Sequence, residues 1–213
     1  MKEDRYAIPI AEQRVQEYIE RSRFVTTVAP ADTEAAAQSF IQQIREEFPD
    51  ATHHCWAYVV GSPGSTARIG MSDDGEPHGT AGRPMLQVLL HSGLGDVVAV
   101  VTRDYGGVKL GKGGLGRAYS GGVRLALESI LVGERIARRP LDLEFGYAAL
   151  DAVRRLLSET QSTTDREIFE ENVRLSVAVP LAEWARFHAR FQDVTQGLGR
   201  VQEGAAPASG EPP

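Results

Sequence analysis

The 213-residue sequence has a single cysteine, Cys55. One thiol excludes an intramolecular disulfide and any zinc site built on two cysteines, and it fits a reducing compartment. Long apolar runs are also missing. The longest clear one, Val97 to Val101, falls far short of the roughly 20 residues needed to cross a bilayer, so no membrane partner is expected. No apolar stretch follows Met1-Lys2-Glu3-Asp4-Arg5, so no secretory leader is expected and the expected location is the cytoplasm. Positive charge is in deficit, with 23 Lys+Arg against 29 Asp+Glu and a net charge of −6. That balance opposes long-range attraction to nucleic acid, and no sequence-specific DNA binding is expected. The deficit is even: 14 Lys+Arg against 17 Asp+Glu in residues 1–137, and 9 against 12 in residues 138–213. A basic surface, if present, must be local.

Glycine is plentiful and unevenly placed. Of 22 glycines, 16 fall between Gly61 and Gly122, a concentration that marks sharply turning loops or loops lying against a ligand. Regular elements are still legible around them. Asp32 is placed to cap a helix with Ala37, Phe40, Ile41, Ile44 and Phe48 on one face, ended by Pro49. His54 to Val60 reads as a strand, and Ala67 to Met71 as its hairpin partner. Residues 80–92 read as a helix capped by Gly79 or Thr80, and Asp96 to Thr102 as a strand buried on both faces. From Gly114 a long helix carries Leu115, Tyr119, Val123, Leu127 and Leu131. Residues 11–24 stay ambiguous, because Val15, Tyr18 and Ile19 fit a helix while the segment could equally lead as a strand into residues 23–28.

After Pro140 the pattern changes. Leu141 to Phe145 alternates as a strand, and Ala149, Leu150, Val153, Leu156 and Leu157 fit a helix. A polar strand near 161–168 follows, then Val173 to Val179 with a period of two, a helix bearing Trp184, Phe187, His188 and Phe191, and a last strand near 197–202. The order β-α-β-β-α-β is the ferredoxin-like motif. The expected organisation is therefore α+β, with domains over 1–137 and 138–202 and a disordered tail over 203–213.

Three segments could carry chemistry. In His53-His54-Cys55-Trp56, neighbouring histidines on a strand point to opposite faces and cannot easily chelate one metal. Packing, with one histidine at the surface, is the expected role; Cys55 reads as a small buried residue. In Ser72-Asp73-Asp74-Gly75-Glu76-Pro77, the carboxylates of Asp73, Asp74 and Glu76 could hold a hard cation, cap the next helix or form turns. The third segment runs from Arg103 to Arg117, leaving a buried strand and opening a long helix. Arg103, Lys109, Lys112, Arg117 and the nearby Arg124 oppose only Asp104, and Gly106, Gly107, Gly113 and Gly114 expose backbone N–H groups. An anion is expected there, with Tyr105 available to stack. The segment is neither a Walker loop nor a dinucleotide fingerprint.

Arg21-Ser22-Arg23-Phe24, His53-His54-Cys55, Ser72 to Pro77, Gly79-Thr80-Ala81-Gly82, Tyr105-Gly106-Gly107, Leu110-Gly111 and Gly113-Gly114-Leu115 resemble, in that order, the motifs of the IMPACT family. The resemblance covers residues 15 to 130, and the second half resembles the small domain that bacterial members append. It implies an N-terminal fold like domain 2 of ribosomal protein S5 and a ferredoxin-like C-terminal domain similar to one in elongation factor G. It implies an association with translation and supplies no catalytic residues. Where Asp104 stands the family usually has an aromatic, and where Lys109 stands an aliphatic residue. The first departure removes a stacking surface, and the second adds positive charge.

Residues and resemblance together make a regulator of translation the leading expectation, binding RNA, the ribosome or a translation factor without a cofactor. The candidate ligand-binding residues are His53, Asp73, Asp74, Glu76, Arg103, Tyr105, Gly106, Gly107, Lys109, Lys112, Gly113, Gly114 and Arg117. A metal-dependent enzyme acting on a phosphorylated or nucleotide substrate is the alternative, and a regulator that binds protein without nucleic acid is a third. The first depends on the basic loop being open. The second depends on the acidic loop having free carboxylates.

Overall fold

The computed structural model describes residues 4–204. In chain order the elements are β1 (Arg5–Pro9), β2 (Gln13–Ile19), β3 (Ser22–Pro30), α1 (Glu34–Glu47), β4 (His53–Val59), β5 (Ile69–Ser72), α2 (Gly82–Leu90), β6 (Val97–Asp104), α3 (Gly111–Glu128) and β7 (Val132–Ile136). There follow β8 (Arg138–Phe145), α4 (Leu150–Glu159), β9 (Thr163–Phe169), β10 (Val173–Pro180), α5 (Trp184–Val194) and β11 (Arg200–Glu203). The chain divides into two compact units, residues 6–135 and residues from 136 onward, with Asp4 and Arg5 joining the second. Glu203, where a tail is expected to begin, closes β11; residues 205–213 lie outside the described residues.

The first unit is built on a five-stranded sheet ordered β2-β3-β6-β4-β5. Its central strand, β6, is apolar at every position from Val97 to Val101 because both faces are covered. Val97, Ala99 and Val101 join a core with Met85, Leu89, Leu115, Tyr119 and Val123 of α2 and α3. Val98 and Val100 join a second core with Ala37, Ile41 and Ile44 of α1. Each valine buried this way contributes roughly 1.5–3 kcal/mol, so β6 anchors both layers. The helix α1 is capped by Thr33, which accepts from the Ala36 N–H at 3.1 Å, rather than by Asp32. The ambiguous 11–24 segment is β2 and the start of β3, joined by a two-residue turn with Glu20 and Arg21 at φ 45° and 66°. β1 and β7, which the sequence did not reveal, pair with each other. The buried Asp96 holds them to the sheet, accepting from Tyr6 Oη at 2.8 Å, Gly61 N at 2.8 Å and Arg135 Nη1 at 3.0 Å.

The second unit is a four-stranded antiparallel sheet ordered β11-β8-β10-β9, crossed by α4 and α5. This is the ferredoxin-like arrangement read from the sequence. Its core takes alternate residues of β8 and β10, namely Leu141, Leu143, Phe145, Val173, Leu175 and Val177, with Val153 and Leu156 of α4 and Phe187 and Phe191 of α5. No helix among the described residues is long and apolar enough to cross a membrane.

Candidate functional site

The sheet pairings bring the motif segments together at one end of the first unit. His53 of β4 and Phe24 of β3 both pair with Arg103, and Arg23 pairs with Asp104. The 72–82 loop leaves β5 at the same end, and the 105–110 loop leaves β6 there. At the centre is an ion pair sealed from water: Arg103 Nη1 donates to Glu76 Oε1 at 2.5 Å, and both side chains are only 4% exposed. Arg103 Nη2 donates to Ser22 Oγ at 3.2 Å, and its guanidinium lies 5.2 Å from the ring centroids of both Phe24 and Tyr105. Its Nε is buried with no hydrogen-bond partner among the described residues. Tyr119 Oη donates to the same Glu76 oxygen at 2.7 Å, its ring edge-on to Phe24. Burial, with Cys55 and Glu76 beside it, pushes the Tyr119 phenol far above its ordinary range. Tyr119 is a core residue and offers no face on which a base could stack.

The acidic loop spends its carboxylates on protein donors. Asp73 accepts from the backbone N–H groups of Gly79 (2.7 Å), Ala81 (2.9 Å) and Gly82 (2.9 Å), and so caps α2. This displaces the expected Gly79 or Thr80 cap; Thr80 Oγ1 instead donates to the Pro77 carbonyl. Partial burial would raise the Asp73 pKa, but the three N–H donors outweigh it and hold the carboxyl below the usual range. Asp74 accepts from Arg45 Nη2 at 2.6 Å and from the His54 N–H at 2.7 Å. The turn that places them has Asp74 and Gly75 at φ 41° and 87° and closes from Glu76 N to the Asp73 carbonyl. Among the described residues no group of three His, Cys, Asp or Glu side chains is arranged to hold a metal ion. The reading of Asp73, Asp74 and Glu76 as joint cation ligands loses its basis, because each has its own protein donors.

Neither histidine is a surface residue. His53 Nδ1 donates to the Asp74 carbonyl at 2.8 Å, and its Nε2 is 4.0 Å from Glu76. His54, buried, donates from Nε2 to the Phe48 carbonyl at 3.0 Å. Cys55 is fully buried and its S–H donates a hydrogen bond to the Asp73 carbonyl; burial pushes its pKa up to about 12, so it is no thiolate nucleophile.

The basic segment divides in two. Arg103 is interior and neutralised by Glu76. Gly106 is needed for packing: a β-carbon there would collide with the Arg21 carbonyl, and its N–H donates to Ser22 Oγ. Gly107 and Gly111 take φ of 84° and 69°. Beyond them Lys109, Lys112 and Arg117 are exposed, with no hydrogen-bond or ion-pair partner among the described residues. The helix α3 starts at Gly111, earlier than expected, and Leu110 offers its first N–H groups no side-chain cap. Gly113 is exposed in this first turn, while Gly114 presses on Leu110, 3.0 Å from where its β-carbon would lie. Lys109, Leu110, Gly114 and Arg117 form one wall of an open groove of about 530 Å³. The other wall carries Glu17 and Glu20, which no local sequence pattern would place there. Two free cations, Lys109 and Arg117, therefore share the groove with two carboxylates, and Lys112 lies outside its lining. Tyr105, 44% exposed, is not among the residues that line this groove.

Fold and site define an α+β protein whose sequence motifs serve a buried polar network beneath an exposed basic rim. Residues 20–127 match the model of the Impact N-terminal domain, and residues 143–198 match a domain of unknown function, DUF1949. The chain is 42% identical to IMPACT family member YigZ of Escherichia coli K12, covering 90% of this chain and 94% of that one. It is 40% identical to IMPACT family member YvyE of Bacillus subtilis 168, covering 87% and 85%. A solved structure described as that of an hypothetical protein superposes with a TM-score of 0.71 at 39% identity, covering 96% of this chain and 99% of that one. The chain belongs to the IMPACT family.

Proposed function

We propose that this protein is a translation-associated binding protein that uses the rim formed by Lys109, Lys112 and Arg117 to hold RNA phosphates, free or on the ribosome. The observation that carries this reading is the contrast in pairing. Every other strongly charged side chain of the motif segments at this end of the sheet, apart from Arg21, has a protein partner within hydrogen-bond reach, whereas these three have none. Unpaired cations beside the uncapped first turn of a helix favour an anion, and phosphate oxygens accept from both lysine and backbone N–H. Retention on RNA or ribosomes should weaken steeply with salt, and replacing the three cations together with alanine should abolish most of it. Retention that is insensitive to salt and to the triple replacement contradicts the reading. The acidic wall of Glu17 and Glu20 favours one second reading, a protein segment of mixed charge as the partner. It would be recovered stoichiometrically after nuclease treatment and released by Glu17→Ala.

A further inference from the structure

The last two turns of α3 leave their outer face uncovered. Gly121, Arg124, Leu125 and Glu128 follow one another at helical spacing, and Leu125 is 39% exposed. Beside them a groove of about 640 Å³ runs between α2 and α3, with Val88, Leu94 and Leu127 in its lining and Arg124 and Glu128 on its rim. Val132, Leu131 and Ile10, exposed by 52%, 63% and 56%, extend the apolar surface, and the Ile10 N–H bonded to the Leu131 carbonyl keeps two of them together. Scattered exposed apolar residues need no explanation, but a contiguous set with a charged rim marks an interaction surface.

The two rim charges indicate what covers it. Arg124 and Glu128 are four residues apart, a spacing that permits an ion pair within the helix. That pair is not made: Arg124 turns back to Ser120 Oγ at 3.3 Å, and Glu128 has no hydrogen-bond or ion-pair partner among the described residues. Both charges are open to an outside group. A uniformly acidic or basic partner would satisfy one and repel the other. A second α3 crossing antiparallel, about a two-fold axis level with residue 126, satisfies both at once. Arg124 of each copy then faces Glu128 of the other, with the apolar groove residues between. A parallel crossing would set arginine against arginine. Gly121, with nothing within 4 Å of its β-carbon position, leaves room for close approach at the end of the interface. We infer that this face of α3 is a self-association surface whose occupant is a second copy of the chain in an isologous, antiparallel arrangement.

Sedimentation velocity on the full-length protein across micromolar concentrations tests this. The wild type forms a dimer. Arg124→Glu and Glu128→Arg each weaken dimerisation about tenfold or more, because like charges meet twice per interface. Two rescues follow: the double variant R124E/E128R dimerises like the wild type, and the two single variants mixed together form a heterodimer. Both side chains are exposed, so unchanged thermal midpoints keep folding defects apart from association. A wild type that stays monomeric throughout, single variants that dimerise normally, or a double variant weaker than either single overturns the inference.

Discussion

The acidic loop at 72–76 and the basic segment at 103–117 look alike as sequence, each a cluster of charge among glycines, yet the fold treats them oppositely. The acidic loop is turned inward. Asp73 caps α2, Asp74 ties β4 to α1 through Arg45, and Glu76 receives both Arg103 and Tyr119. The basic loop gives up Arg103 to that interior and leaves Lys109, Lys112 and Arg117 outside. A cluster of charge is therefore no sign of a binding site until its partners are known. Here the partners assign a structural role to one loop and leave three cations of the other unpaired among the described residues.

The comparison sharpens most at Glu76. Glu76→Ala should cost about 3–5 kcal/mol in denaturant unfolding, since it leaves the Arg103 charge buried and unpaired; a loss below about 1 kcal/mol would mean that the pair is not buried in solution. Gly106→Ala comes next. With its β-carbon driven onto the Arg21 carbonyl, it should cost about 1–3 kcal/mol, read as a lower thermal midpoint. Asp73→Ala should cost about 0.5–2 kcal/mol through removal of the cap. The sign of its pH dependence follows from a folded-state pKa held below the ordinary aspartate value. The stability due to Asp73 is complete above the unfolded pKa and is lost as pH falls through the folded one. Wild type should therefore lose more stability than Asp73→Asn on acidification below about pH 4. Smallest of all, alanine at Lys109, Lys112 and Arg117 should each change stability by no more than about 0.5 kcal/mol; a larger loss would place them among the structural residues and erase the contrast.

Much of this architecture is legible in the sequence, and the misses have physical causes. The strand β6 and the second unit are readable because apolar periodicity is strong where a face is buried. In β2 that signal is broken: the partly buried positions Val15, Glu17 and Ile19 include a glutamate, while Tyr18 is 70% exposed and supplies a false helical spacing. The short strands β1 and β7 are joined by pairing across more than a hundred residues, which no local window contains. The sequence places the start of α3 too late because Gly111 to Gly114 resembles a loop. The site is legible only in outline. Its motifs are visible, but the groups that decide their meaning are distant in sequence: Glu76 from Arg103, Asp74 from Arg45, and Glu17 from Arg117.

Phosphate binding by the cations of the α3 rim is the function we propose. Its most direct measurement is the salt dependence of RNA binding by the wild type and by the triple alanine variant. Each phosphate that the variant no longer neutralises should reduce the slope of log K against log salt by about 0.7–0.9, so a slope about 2–3 smaller in the variant, with unchanged stability, is expected. Equal slopes for the two proteins would contradict the account.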